Sequence, residues 1–166
     1  MSTIDDLKEA FAGESQANRR YLAYAEKAEG EGFPGVAKLL RAVAAAETVH
    51  ALNHLKAMGG VGGTVANLTE AMAGEKYEFT EMYPPMLAGA EAAGDKKAAR
   101  SMRFALEVEK VHYDLFAQAL AAVAAGKDLD DLGVHVCPVC GHTVIGPVAG
   151  PCPVCGCRPD LYDAIA

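Results

Sequence analysis

The stretch AETVHALNHL, residues 45–54, decides how this chain is read. Glu47 and His50 stand three apart in a run that is otherwise mostly apolar. An α-helix turns about 100° per residue, so the two side chains share one face, one turn apart. Val36, Leu40 and Val43 lead into that face at helical spacing, which makes it the apolar face. A carboxylate belongs there only when it is paired or binds a metal. Taken alone, Glu47 reads as a glutamate at the rim of an apolar stripe. The neighbouring segments change that reading.

Residues 3–30 read as a helix, with Thr3 as its cap and Asp6 three residues on. Its core stripe runs Leu7, Glu14, Tyr21, Ala28 in steps of seven, joined by Ala10 and Ala17. Gly30, Gly32 and Pro34 break the chain, and residues 34–58 form the second helix with Pro34 in its first turn. Gly59, Gly60, Gly62 and Gly63 make a flexible connection; no strand precedes it and no GKS or GKT follows, so it is not a phosphate loop. Asn67 and Glu70 read as a capping pair for a third helix with the stripe Leu68, Ala71, Glu75, Glu78, Met82. Pro84 and Pro85 must kink or interrupt that helix, and Gly94 ends it. Asp95 caps a fourth helix that runs to about residue 125, with Gly126 as its stop. Its stripes are Met102, Glu109, Phe116, Val123 and Ala105, His112, Ala119.

Four helices thus each place an acid on the stripe expected to be buried: Glu14, Glu47, Glu75 with Glu78, and Glu109. Two of them carry Glu-x-x-His, as Glu47/His50 and Glu109/His112. Glu-x-x-His on two helices with a Glu from each of the others is the ligand pattern of di-iron carboxylate bundles. Five carboxylates cannot share an apolar core without counter-charge, and two divalent cations come close to neutralising them. Oxygen and imidazole donors suit iron or manganese. Each residue alone has a plainer reading: Glu14 a solvated helix residue, Glu75 and Glu78 a polar face, His112 a core histidine. The coincidence across four helices favours the metal. Glu70, Glu81 and Glu107 read as bystanders, and His54 as a neighbour of the site or simply core.

GKDLDDLG, residues 126–133, is a polar linker, and beyond it helical periodicity gives way to Gly, Pro and Cys. All five Cys fall in the last 30 residues, and the chain's N-terminus shows no export signal, so metal ligation is expected rather than disulfides. Cys137-Pro-Val-Cys140-Gly and Cys152-Pro-Val-Cys155-Gly are two knuckles separated by eleven residues. Four thiolates so placed bind a tetrahedral metal, iron or zinc. Cys157 is a spare thiol, and His135 and His142 flank the module to pack or hydrogen-bond. A net charge of −7 argues against nucleic acid or an anionic membrane surface as partner. No apolar run approaches the length of a membrane span, and a cytoplasmic location is expected.

AFAGESQANRRYLAYAEKAEGEGFP (10–34), AETVHALNHL, GEKYEFTEMYP (74–84) and the paired CPVCG knuckles together resemble rubrerythrin, and the resemblance spans essentially the whole chain. It implies a mainly α protein: a ferritin-like di-iron four-helix bundle at 1–133, then a small rubredoxin-like β/loop Fe(Cys)4 module at 134–166. It implies a peroxidase that reduces hydrogen peroxide with electrons ultimately from NAD(P)H. By motif, Glu14, Glu47 and either Glu78 or His50 hold one iron. Glu75, Glu109 and His112 hold the other, with Glu47 and Glu109 bridging. The resemblance implies that the first iron moves between the Glu78 and His50 positions as redox state changes. Tyr21 and Tyr83 match tyrosines lying just behind the ligands. Cys137, Cys140, Cys152 and Cys155 hold a third iron. The sequence has no nucleotide fingerprint, so a separate reductase or a rubredoxin is the expected electron donor. The Fe(Cys)4 site is expected to serve a partner subunit's di-iron site. The competing readings are an O2-using ferroxidase that handles iron, and a zinc-ribbon interaction protein, which leaves the acids without purpose.

The connection between helices two and three is short for this architecture. Ferritin-like bundles run these helices parallel across a long crossover. From Glu47 the second helix descends about 16 Å to residue 58, and from Asn67 the third covers about 12 Å to Glu75. Residues 58–67 must then climb about 28 Å, against a full stretch of about 30 Å. A homodimer that swaps helices one and two with three and four relieves this, and gives each di-iron site ligands from two chains.

Overall fold

A computed structural model of the chain describes residues 2–130 and 132–165. Asp131 of the polar linker lies outside the described residues. The chain is mainly α and divides into two compact units, residues 1–62 and 63–166.

The first unit is a helical hairpin, α1 (Thr3–Gly30) and α2 (Pro34–Ala57). Ser2, not Thr3, caps α1: its hydroxyl accepts from the Asp5 N–H while the Asp5 carboxylate accepts from the Ser2 N–H at 3.0 Å. The box is the expected motif shifted by one residue. Pro34 opens α2 as its ring geometry favours. The seam between the helices is alanine: Ala17, Ala25, Ala28, Ala37, Ala44 and Ala51 are all buried. Small side chains let the helices close on one another. Midway along the seam the buried Asn18 donates from Nδ2 to the Ala44 carbonyl at 2.6 Å and to Thr48 Oγ1 at 2.8 Å. The expected apolar stripe of α2 is only partly buried, since Val36 and Val43 are exposed while Leu40 packs on the alanine cluster. The seam falls on Ala37, Ala44 and Ala51, so the larger side chains flank it.

The second unit begins with α3 (Thr64–Tyr77). Gly63 occupies the cap position, so α3 starts three residues before the expected Asn67 and Glu70 cap, which lie inside the helix. Pro84 and Pro85 have no N–H to return to carbonyls four residues back. The chain answers with a π-helical turn at Glu78–Met82, closed by the Tyr83 N–H on the Glu78 carbonyl, before α4 (Tyr83–Ala92). Gly94, at φ +70°, ends α4. Asp95 caps α5 (Lys96–Ala124) as expected, accepting from the Lys97 and Ala98 N–H groups at 3.1 and 3.0 Å. Gly126 stops α5 at φ +71°.

Three short strands follow: β1 (Val134–Val136), β2 (Thr143–Ile145) and β3 (Asp163–Ile165). They form an antiparallel sheet in the order β2-β1-β3. The two cysteine knuckles repeat one backbone pattern. Gly141 N–H donates to the Cys137 carbonyl and Gly156 N–H to the Cys152 carbonyl, each at 2.9 Å. Cys137 N–H donates to the His142 carbonyl and Cys152 N–H to the Cys157 carbonyl. Gly141 and Gly156 stand at φ +84° and +76°, which explains the Gly after each second Cys. No helix among the described residues is long and apolar enough to cross a membrane.

Candidate metal centres

Among the described residues, three groups of side chains come close enough to share a metal ion: Glu14, Glu47 and His50 in the first unit, Glu75, Glu109 and His112 in the second, and the four knuckle cysteines.

In the first group Glu47 and His50 sit one turn apart on α2, with His50 Nδ1 2.9 Å from Glu47 Oε2. Glu14 reaches across from α1, its Oε1 3.9 Å from the same nitrogen. Glu47 is the most covered of the three, and His50 is half exposed.

The second group repeats the motif on α5: His112 Nδ1 lies 2.8 Å from Glu109 Oε2 and 4.0 Å from Glu75 Oε2 on α3. His112 Nε2 faces the Gly141 carbonyl at 3.3 Å and Thr143 Oγ1 at 3.1 Å. A carbonyl only accepts, and Thr143 gives its own proton to that carbonyl at 3.0 Å. The imidazole proton therefore sits on Nε2, and Nδ1 turns a lone pair toward two carboxylates. Lone pair and anions facing one another need a proton or a cation between them. Burial, with Glu109 alongside, pushes the Glu75 carboxyl up to about 7, the proton answer of a metal-free site. A divalent cation answers the same need, so the donors fit the two-iron site the sequence pointed to.

Glu78, the first residue of the π turn, stands outside the close group, but burial and the Glu109 charge hold its carboxyl above the usual range. Tyr83 lies beside it: burial, then Glu78, Glu109 and Glu75, raise its phenol. Tyr21 packs against Tyr24 on α1, rings 6.4 Å apart. Glu70, Glu81 and Glu107 are exposed and join no group, and Glu107 pairs with Lys110 at 3.0 Å. His54 is half-buried and also stands apart.

In the third group Cys137 and Cys155 Sγ lie 3.6 Å apart, and Cys140 and Cys152 Sγ 3.5 Å. A tetrahedron with metal–sulfur bonds of about 2.3 Å has edges of about 3.8 Å, so the thiolates already stand where one ion would draw them. Burial pushes the Cys140 thiol up. Burial would also raise Cys152, but hydrogen bonds from the Tyr162 hydroxyl and from the Cys155 and Val154 N–H groups outweigh it and bring the thiol down to about 6. Cys157 stays outside the four, its Sγ directed at the Arg158 carbonyl. Gly141 was read in the sequence only as the Gly of the first knuckle, and Thr143 and Tyr162 were not singled out. Their contacts to the ligands are not legible in the local pattern, because each meets its ligand through the fold.

A family model described as Rubrerythrin matches residues 5–120. Rubrerythrin-2 of Clostridium acetobutylicum is 36% identical, over 98% of this chain and 96% of that protein. Nigerythrin of Nitratidesulfovibrio vulgaris is 34% identical, over 98% of this chain and 86% of its own length. A solved structure, "Fully reduced state of nigerythrin (all ferrous)", covers 99% of this chain and 87% of that one at a TM-score of 0.60 and 30% identity. The chain belongs to the rubrerythrin family of oxidoreductases, and its cofactors are that family's carboxylate-bridged pair of irons and single rubredoxin-like iron.

Proposed function

We propose that the chain is a non-haem di-iron peroxidase that reduces hydrogen peroxide to water in the cytoplasm. Its electrons come from a separate NAD(P)H-dependent reductase or a rubredoxin by way of the four-cysteine site. Residues 1–133 supply the di-iron part and residues 134–166 the electron-accepting module. Glu14 and Glu47, with Glu78 or His50, would hold one iron, and Glu75, Glu109 and His112 would hold the other, with Glu47 and Glu109 shared between them.

One observation carries the reading. His112 joins the two metal centres: its Nδ1 lies among the carboxylates, and its Nε2–H meets the carbonyl of Gly141, the residue after Cys140. A storage site has no use for such a contact. A site that must be re-reduced does. The bond runs within one chain and supports a relay from the thiolate site to the di-iron site that contains its own His112; service of a partner subunit's site is the other route the proposal allows.

The two irons, when bound, supply the two electrons of peroxide cleavage and the Lewis acidity that stabilises the departing oxygen; two protons complete two waters. Thr143 and Gly141 fix the His112 ring and keep its proton on Nε2. Glu75 gives up its proton to become a ligand. Tyr83 keeps its phenolic proton next to the carboxylates, held by burial and their charge.

The test is to reduce the purified chain without oxygen, add hydrogen peroxide, and follow the visible absorbance of the thiolate iron. Fast return of colour with peroxide and slow return with air is expected. The reverse order establishes the O2-using ferroxidase instead. Cys152→Ser should leave a single turnover by the reduced bundle and stop sustained turnover; unchanged turnover removes the relay.

A further inference from the structure

The two metal centres of the second unit are joined by contacts that neither needs in order to hold its own ion. We infer that they bind metal cooperatively: an ion on the four cysteines tightens binding at the Glu75, Glu109 and His112 group, and Thr143 is the positioning residue that carries the effect to His112.

In the first knuckle the Gly141 N–H donates to the Cys137 carbonyl and the Cys137 N–H to the His142 carbonyl, each at 2.9 Å. Gly141 is thereby tied to the loop that carries the Cys137 and Cys140 sulfurs. The loop lies directly on α5: a Cβ at Gly141 would stand 3.8 Å from Cγ1 of the buried Val108, one turn before His112. From this loop the Gly141 carbonyl and the Thr143 hydroxyl converge on His112 Nε2, at 3.3 and 3.1 Å. Thr143 offers the shorter contact. Its hydroxyl also donates to the Gly141 carbonyl at 3.0 Å, so it holds that acceptor in place as well. On the far side of the ring, Nδ1 points at Glu109 Oε2, 2.8 Å away.

The sulfurs pair across the knuckles, Cys137 with Cys155 and Cys140 with Cys152. An ion shared among them ties the first knuckle to the second and takes freedom from the loop that carries Gly141 and Thr143. His112 then finds its outer partners already fixed, and orienting the ring costs less when Nδ1 takes a metal. Linkage makes the effect mutual: an ion among the carboxylates tightens the thiolate site by the same factor. The first unit supplies the contrast. His50 repeats the local geometry, its Nδ1 2.9 Å from Glu47 Oε2. Its side chain is 53% exposed against 26% for His112, and among the described residues its Nε2 meets no hydrogen-bond partner. A general stiffening of the chain would reach both histidines; an effect carried by Thr143 reaches His112 alone.

The experiment titrates Mn(II) into the full metal-free chain with its thiols kept reduced, and reads free Mn(II) by its paramagnetic resonance signal. Mn(II) favours carboxylates, whereas thiolates select zinc, so one equivalent of Zn(II) per chain fills the four-cysteine site alone. Zinc should tighten Mn(II) binding by about tenfold, the lower end of what an outer partner of a metal ligand contributes. Thr143→Val keeps the shape and loses the hydroxyl, and it should lose most of that gain; Thr143→Ser should keep it. His112→Ala should weaken Mn(II) binding and abolish the gain, while His50→Ala should weaken binding and keep the gain. Equal affinity with and without zinc in the unaltered chain overturns the inference, and that comparison needs no variant to fold. A full gain in Thr143→Val overturns the role of Thr143. Equal gains in His112→Ala and His50→Ala overturn the route through His112. No readout involves peroxide, so failure of the peroxidase reading and failure of this one are distinguishable.

Discussion

Glu75 shows what it means to gather carboxylates before the metal is present. Burial and Glu109 raise its pKa from 4.5 to about 7 in the folded, metal-free chain. Between those values the folded chain holds a proton that the unfolded chain has released. The contribution of Glu75 to stability is therefore greatest below about 4.5 and falls as pH rises to about 7. The metal-free chain should melt at progressively lower temperature from pH 5 to pH 7, and Glu75→Gln should flatten that part of the profile. A wild-type slope that survives in Glu75→Gln places the titration elsewhere. Iron affinity should rise through the same window, since the cation displaces the proton. The Glu-x-x-His pairs were legible in the sequence because their geometry is local: three residues along a helix fix a distance near 3 Å. The tautomer of His112 was not, because Gly141 and Thr143 lie a linker and a knuckle away.

At the scale of elements, helix ends were read where the punctuation is strong and misplaced where it is weak. Asp95, Gly94 and Gly126 have one reading each, and the structure keeps it. The start of α3 has no side-chain cap at all, so a motif further in, Asn67 with Glu70, drew the boundary inward. The prolines announced a break, but periodicity carries no sign of a π turn, which conserves helical direction while widening a single turn. The alanine seam was similarly hidden, since alanine weighs little beside valine and leucine in any stripe. Within that seam the buried Asn18 holds α1 to α2 at mid-length through the Ala44 carbonyl and Thr48 Oγ1. Asn18→Ala removes two inter-helix hydrogen bonds, while the Ala44 carbonyl keeps the Thr48 hydroxyl at 3.2 Å, and should cost about 0.5–1.5 kcal/mol, seen as a lowered melting temperature. A loss below about 0.5 kcal/mol would mean that water replaces the amide at no cost.

At the scale of the molecule, the bounds of α2 and α3 sharpen the case for a swapped dimer. With α2 ending at Ala57 and α3 starting at Thr64, only seven steps join them. Bringing Glu47 and Glu75 level in a parallel arrangement asks those steps to climb about 31 Å, ten and eleven residues of helix at 1.5 Å each. Seven extended steps reach about 25 Å. The earlier start of α3 turns a connection that barely reached into one that falls short. Each unit offers three donors, half of what a pair of irons needs. The proposed assembly joins the first unit of one chain to the second unit of another, and complementation tests it. Glu47→Gln breaks the half-site of the first unit, and Glu109→Gln breaks that of the second, so each homodimer should lack both di-iron sites. Co-expressed with separate tags and purified as the mixed dimer, the two variants should regain one intact site per dimer, made from the unbroken unit of each chain. The measured result should be about half the wild-type di-iron content and peroxide turnover, with the thiolate iron at its full level as the internal standard. If each chain closes its own site, every site in the mixed dimer carries one broken half, and no recovery occurs.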